Sequence, residues 1–328
     1  MRRYVITGGA GFIGSQLIRT LFRQNPFVEI INIDSFDNFY ERSIKEKNTE
    51  GFHLHPNYTL IRKDLSQVKV DELLHMVTKP VDAIIHLAAK AGVRPSIQNP
   101  VLYQQHNITG LQNMLDFARI KKIPQFVFAS SSSVYGINNN YPWKENEQLM
   151  PVSPYAMTKL SGEALGHVYS NLYNIRFIAL RLFTVYGPSQ RPDLAIHKFT
   201  KSIVQGQPIQ MYGDGNSSRD YTYVDDIVNG IIAAAHYNQS SFEIFNLGNN
   251  YSISLNKLIE TIEEVAGEKA RVLRFSDQPG DVPKTAADIS KAGRLLGYAP
   301  KMDLKYGIEK FYQWFCQHKE LLLDKQTA

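Results

Sequence analysis

Thr7-Gly8-Gly9-Ala10-Gly11-Phe12-Ile13-Gly14-Ser15 follows a β-rich run, residues 3–7, and leads into residues 14–23, where apolar side chains recur at helical spacing. The glycines satisfy G-x-G-x-x-G as Gly9, Gly11 and Gly14, and G-x-x-G-x-x-G as Gly8, Gly11 and Gly14. Such a turn is tight, lets backbone N–H groups approach a pyrophosphate, and lets helix and strand pack closely. Alone the motif is weak. With a strand before it, a helix after it, and Asp34 twenty residues past Gly14 at the end of a second β-rich run, it reads as a dinucleotide fingerprint. Gly8, Gly11, Phe12, Ile13 and Gly14 are the expected contacts of that ligand.

Working outward, residues 3–7, 29–34, 59–63, 83–87 and 126–130 read as strands, and 14–23, 70–77 and 102–120 as helices between them. Strict alternation predicts an α/β fold with a doubly wound parallel (Rossmann) sheet, whose ligands lie at the carboxyl ends of its strands. A long helix over 154–173 and a strand over 177–182 follow. Beyond them Pro and Gly punctuate a more irregular region. The expected division is a dinucleotide-binding domain over 1–183, also receiving about 217–247, and a smaller α/β substrate lobe over 184–328. Residues 138–151 read as a polar, mobile loop.

Asp34 also selects the cofactor. A carboxylate accepts hydrogen bonds from ribose hydroxyls and repels a 2′-phosphate. No arginine follows in Ser35-Phe36-Asp37-Asn38, so NAD is favoured over NADP, with Asn38 grouped beside Asp34. Asp64 and Leu65, after the third strand, are expected near the adenine. Leu87, Ala88 and Ala89, after the fourth, keep side chains small where backbone passes the cofactor.

The 328 residues are 43% apolar and 20% charged, the range of an ordinary globular protein with room for a core in each lobe. The net charge of +5 is scattered rather than blocked, which points to a solvated surface and away from nucleic acid. No stretch approaches the ~20 apolar residues of a membrane span. The amino terminus runs straight into the first strand, leaving no room for a leader, and Cys316 is the one cysteine, so neither a disulfide nor a thiolate metal site is expected. A cytoplasmic protein is the resulting expectation.

Ser153-Pro154-Tyr155-Ala156-Met157-Thr158-Lys159 contains Tyr-x-x-x-Lys. On a helix these positions share a face, and an adjacent ammonium would lower the phenol's pKa from near 10 toward that of a usable base. About twenty residues earlier lies Ser130-Ser131-Ser132-Ser133-Val134-Tyr135-Gly136, at a strand end. A hydroxyl there can hydrogen-bond an oxygen that becomes a carbonyl as hydride leaves. Tyr155, Lys159 and Ser131 are the candidate catalytic group. A surface Tyr–Lys pair and serines that merely satisfy turn amides are the bland alternatives.

With these residues in hand, the chain resembles the extended short-chain dehydrogenases/reductases, specifically the NAD-dependent epimerase/dehydratase family, over nearly its full length. The resemblance rests on Thr7–Gly14, Asp34, Asp64, residues 86–89, Asn107, Ser130–Gly136, Tyr155/Lys159, residues 181–188 and residues 219–226. It implies bound NAD contacted also by Asn107, a UDP- or TDP-sugar in the cleft between lobes, and a homodimer built on the long helices. It further implies that Tyr155 takes the proton of the sugar 4-hydroxyl while the C4 hydride passes to NAD. Ser131 would steady the carbonyl, and the hydride would return to the other face.

Relatives that dehydrate resemble one another in an Asp-Glu pair just before Val-Tyr-Gly, and decarboxylating ones carry a Glu. Ser132-Ser133 stand there instead, which implies simple epimerisation. Thr184, where asparagine is common, and Arg191 resemble UDP-glucuronate 4-epimerases, in which these positions meet the sugar carboxylate. Residues 88–94, ending in Arg94, are similar to the same branch, although Lys90, Leu182 and Ser189 depart from it. Arg191 as a loop arginine capping carbonyls is the structural alternative. Epimerases of UDP-glucose or UDP-N-acetylglucosamine are the second functional reading, and a non-catalytic NAD-binding scaffold is disfavoured because both Tyr155 and Lys159 are present. The resemblance places Arg219 at the diphosphate with Arg274 as a second phosphate candidate, Gln210 and Tyr212 around the base, and Asp281 at a ribose hydroxyl.

Overall fold

The computed structural model describes residues 2–276 and 281–323; Pro279 and Gly280, part of the segment around Asp281, lie outside them. Twelve strands occur among the described residues: β1 Arg3–Thr7, β2 Glu29–Asp34, β3 Tyr58–Arg62, β4 Ala83–His86, β5 Gln125–Ser131, β6 Arg176–Leu182, β7 Thr184–Tyr186, β8 Ile209–Tyr212, β9 Ser218–Tyr223, β10 Phe242–Leu247, β11 Ser252–Ser254 and β12 Val272–Phe275. Seven form one parallel sheet in the order β10-β6-β5-β4-β1-β2-β3. Strand order reverses between β1 and β4, so the crevice past their carboxyl ends is where a doubly wound sheet binds its ligand.

Both faces of this sheet are covered, and period-2 alternation divides its side chains between two cores. Tyr4, Ile6, Ile30 and Ile85 enter one; Val5, Ile31, Ile33 and Ile84 enter the other. Val224–His236 packs on the first face and β10 extends the sheet, so the chain returns to the large layer after β9 has joined a three-stranded sheet, β11-β9-β7. β8 and β12 pair in parallel as a separate ribbon.

Two local expectations are corrected. The helix expected over 102–120 is Pro100–Gln104, a π-helical turn at Gln105–Thr109, then Gly110–Lys121. The segment 138–151, expected to be a mobile loop, is irregular and has alternating exposed positions, but it is anchored at the buried Asn138 and Trp143. Trp143 is 1% exposed and stacks on Tyr135 at 4.8 Å, while its backbone N–H donates to Ala286 O. A Cβ on Gly136, which sits at φ 57°, would lie 1.6 Å from Met150 O. Polar composition misled here because these groups answer buried partners: Glu145 accepts from Asn246 N–H and, through its carbonyl, from Arg181.

Candidate active site

A cavity of about 500 Å³ opens at the switch point, lined by the glycine turn, Asp34, the ends of β4 and β5, Tyr155, Lys159 and the 182–194 segment. The glycine turn is shaped for close backbone approach. A Cβ on Gly14 would meet Gly8 O at 2.3 Å, and one on Gly8 (φ 75°) would meet Ala88 N at 2.8 Å. Asp34 accepts from Ala10 N–H (2.9 Å) and Phe36 N–H (2.8 Å). Burial pushes its carboxyl above the usual range, against the lowering by those two amides and by Lys45. Each oxygen keeps lone-pair capacity for a ribose hydroxyl. The glycine cradle and this carboxylate fit a dinucleotide. Gly11, Phe12, Ile13, Asp64, Leu65, Leu87, Ala88 and Ala89 also line the cavity.

The helix Pro154–Tyr173 starts where Ser153 Oγ accepts from Ala156 N–H at 3.1 Å, with proline in its first turn. Its Tyr155 and Lys159 project into the cavity, and Glu163 continues the same face beneath it. Lys159 Nζ donates to Ala129 O (2.7 Å), and desolvation lowers its pKa to about 7. Tyr155 differs from the sequence expectation. Burial raises its phenol, and the neighbouring Ser131 and the charge of Arg191 oppose that rise. Lys159 Nζ lies 5.8 Å from the centre of the Tyr155 ring and keeps two N–H donors beyond the one given to Ala129 O.

The four serines separate in space. Ser130 Oγ donates to Glu163, which is also held bidentately by Arg181 at 2.9 and 2.8 Å. Arg181 continues to Tyr135 Oη, and that hydroxyl donates to Asn246. Ser131 faces Tyr155 and accepts from both Ser133 N–H and Ser133 Oγ. Ser132 and Ser133 line the cavity beside it.

Thr184 and Arg191 line the same chamber. Arg191 donates through Nε (2.9 Å) and Nη2 (2.6 Å) to Asp193, and its guanidinium lies 5.0 Å over the Phe39 ring. It therefore caps a carboxylate rather than carbonyls. Sequence reading missed Asp193, Phe39, Tyr40, Lys45, Lys90 and His106, all in the lining. Lys90 pairs with Asp37 at 2.5 Å and His106 with Asp64 at 3.3 Å. The departure of Lys90 from that branch was the available signal; Phe39, Tyr40 and Lys45 come from the stretch after β2, Asp193 from the segment before residue 195, and His106 from the π-helical turn.

Several candidates fall outside the lining. Asn38 is exposed, since the backbone after Phe36 (φ 52°) turns Asp37, Phe39 and Tyr40 inward instead. Asn107 spends its amide within the protein, accepting from Lys90 N–H and donating to Lys90 O and Thr158 Oγ1, which makes it a brace between the β4 loop and the long helix. Arg94, Tyr212 and Asp281 meet one another: the Arg94 guanidinium is 4.7 Å over the Tyr212 ring and 2.7 Å from the Asp281 carboxylate. Gln210 and Arg274 are exposed on the β8–β12 ribbon, and Arg219 donates to Ser218 O.

The family described as GDP-mannose 4,6 dehydratase matches residues 5–311. The chain is 36% identical to a UDP-glucuronate 4-epimerase of Thermodesulfobacterium geofontis, over 98% of each chain. It is 42% identical to an uncharacterized UDP-glucose epimerase of Bacillus subtilis, over 93% of this chain and 95% of that one. A crystal structure of UDP-glucuronic acid 4-epimerase from Bacillus cereus with UDP-glucuronic acid and NAD superimposes with a TM-score of 0.90 at 36% identity, covering 96% of this chain and 99% of that one.

Proposed function

The chain belongs to the GDP-mannose 4,6-dehydratase family of extended short-chain dehydrogenases/reductases, and from that premise we propose that it is an NAD-dependent 4-epimerase interconverting UDP-glucuronate and UDP-galacturonate. The observation that carries this reading is that one cavity holds Tyr155, Ser131 and Lys159 together with Arg191 and Thr184. Relatives acting on UDP-glucuronate, and one crystallised with it and NAD, support it.

When bound, NAD would supply the acceptor for the C4 hydride and, once reduced, its donor. Tyr155, as phenolate, takes the 4-hydroxyl proton and gives it back. Ser131, beside Tyr155 in the same cavity, is placed to hydrogen-bond the oxygen as it becomes a carbonyl. Lys159, on the same helix face and lining the same cavity, would hold the nicotinamide ribose with the donors that Ala129 O leaves free. Ser132 and Ser133 put hydroxyls, not carboxyls, at the positions where dehydrating relatives carry acids, so nothing there drives loss of water.

Detection of UDP-galacturonate after incubating the NAD-loaded protein with UDP-glucuronate tests the assignment. The 42% identity to a UDP-glucose epimerase keeps a neutral UDP-hexose as the second reading. Turnover of UDP-glucose or UDP-N-acetylglucosamine with UDP-glucuronate left untouched would put it in first place. At a pH above the acid limb set by Tyr155, Arg191→Ala is expected to weaken transition-state binding of UDP-glucuronate by about 2 kcal/mol, a lost bidentate charge-assisted contact, and to change UDP-glucose little. A uniform loss toward both would mean that Arg191 only holds its loop.

NAD is expected to bind far more tightly than NADP because a 2′-phosphate would meet the Asp34 carboxylate. Lys45 and Lys90 stand nearby, so fluorescence titration with both dinucleotides is a stringent check; equal affinities would remove Asp34 from that role.

No helix among the described residues is long and apolar enough to cross a membrane. A cytoplasmic homodimer is the assembly proposed. The support is an unpartnered apolar face on the long helices, where Val101, Met157, Val168 and Leu172 are 72, 53, 47 and 61% exposed.

A further inference from the structure

We infer that Asp193 sets the choice between charged and neutral sugars by occupying the Arg191 fork whenever no substrate carboxylate is there, an inference that rests on the uronate reading above. Asp193 receives both Nε and Nη2 of Arg191, at 2.9 and 2.6 Å. This is the two-point geometry a planar ligand carboxylate would adopt. Both residues line the chamber with Tyr155 and the serines. The cavity therefore contains its own carboxylate on the guanidinium that a uronate would need.

Asp193 takes the Nε/Nη2 edge of the guanidinium, so a ligand carboxylate must either take the Nη1/Nη2 edge, an anion beside the Asp193 anion, or displace Asp193. The guanidinium is fixed over Phe39 and its side chain is 18% exposed, whereas that of Asp193 is 33% exposed. On either course a uronate meets the Asp193 charge, and Asp193, the more exposed partner, is the one free to turn toward solvent. A neutral hexose makes no such demand, and the Arg191–Asp193 pair stays closed and electrically neutral. Specificity here comes from a repulsive element as well as an attractive one. Asp193 is thus a positioning residue acting through Arg191: it holds the fork ready while raising the threshold for charged sugars.

The test uses the NAD-loaded Tyr155→Phe chain, in which ligand is not consumed, and calorimetric titration with UDP-glucuronate and UDP-glucose. Adding Asp193→Asn, which keeps shape and one acceptor oxygen but removes the charge, should tighten UDP-glucuronate about tenfold relative to UDP-glucose. The same substitution in an Arg191→Ala background should give no such gain. Weaker uronate binding, an equal shift of both ligands, or a gain that persists without Arg191 would each overturn the role of Asp193 while leaving the uronate reading intact. If the parent binds UDP-glucuronate no better than UDP-glucose and Arg191→Ala alters neither, the uronate reading itself has failed and this inference falls with it.

Discussion

Replacing Tyr155 by phenylalanine should lower turnover of the preferred UDP-sugar at least about a hundredfold, the scale of a lost general base, while the fold and NAD affinity stay nearly unchanged. The substitution removes one hydroxyl beside Ser131 and leaves the ring in place against Tyr103. Single-turnover kinetics with circular dichroism and dinucleotide titration checks it; a variant keeping most of its activity would remove Tyr155 from the chemistry. The pH profile carries a second sign. Burial holds the phenol above its ordinary value, and the charge of Arg191 pulls it down. Arg191→Ala should therefore shift the acid limb of kcat/KM to higher pH, because the base then needs a more alkaline medium to be deprotonated. A limb that stays in place would show that Arg191 does not tune Tyr155.

Glu163→Ala should cost about 3–5 kcal/mol of stability, the scale for stranding the partner of a buried ion pair. Arg181 and Glu163 have side chains only 2 and 4% exposed, and Glu163 is also the acceptor for Ser130. Without it, Arg181 keeps Tyr135 Oη and Glu145 O but no countercharge. The double variant Glu163→Leu/Arg181→Met, which removes both charges for apolar groups of similar volume, should recover most of the loss. Urea unfolding measures both, and a single substitution costing less than about 1 kcal/mol would show that the pair does not support the floor of the site. Because Ser130 adjoins Ser131 at the end of β5, the single variant should also weaken catalysis in whatever fraction stays folded.

Much of the large sheet was legible in the sequence because its signals are local. β1 and β2 were bounded to the residue, and the glycine turn, Asp34 and the Tyr155–Lys159 helix face all follow from spacing along one or two consecutive elements. Such patterns carry their own physical meaning: period 2 for a strand, period 3.6 for a helix, and glycine where backbone must approach backbone. The segment 138–151 shows the opposite case. Its composition is that of a solvated loop, yet Trp143 and Glu145 are fastened to residues more than a hundred positions away.

The sequence by itself therefore determined the layer architecture, the place of the dinucleotide crevice and the catalytic tyrosine–lysine candidates, all properties of neighbours along the chain. Only the tertiary structure decided who competes for whom. It set Asp193 on the Arg191 fork and Phe39 beneath it, it tied Lys159 to Ala129 O, and it turned Asn107 into a brace and Asn38 out to solvent. The reason is physical: a side chain's charge and donors are fixed by its identity, but which partner satisfies them, and at what desolvation cost, depends on segments that meet only when the chain folds back on itself.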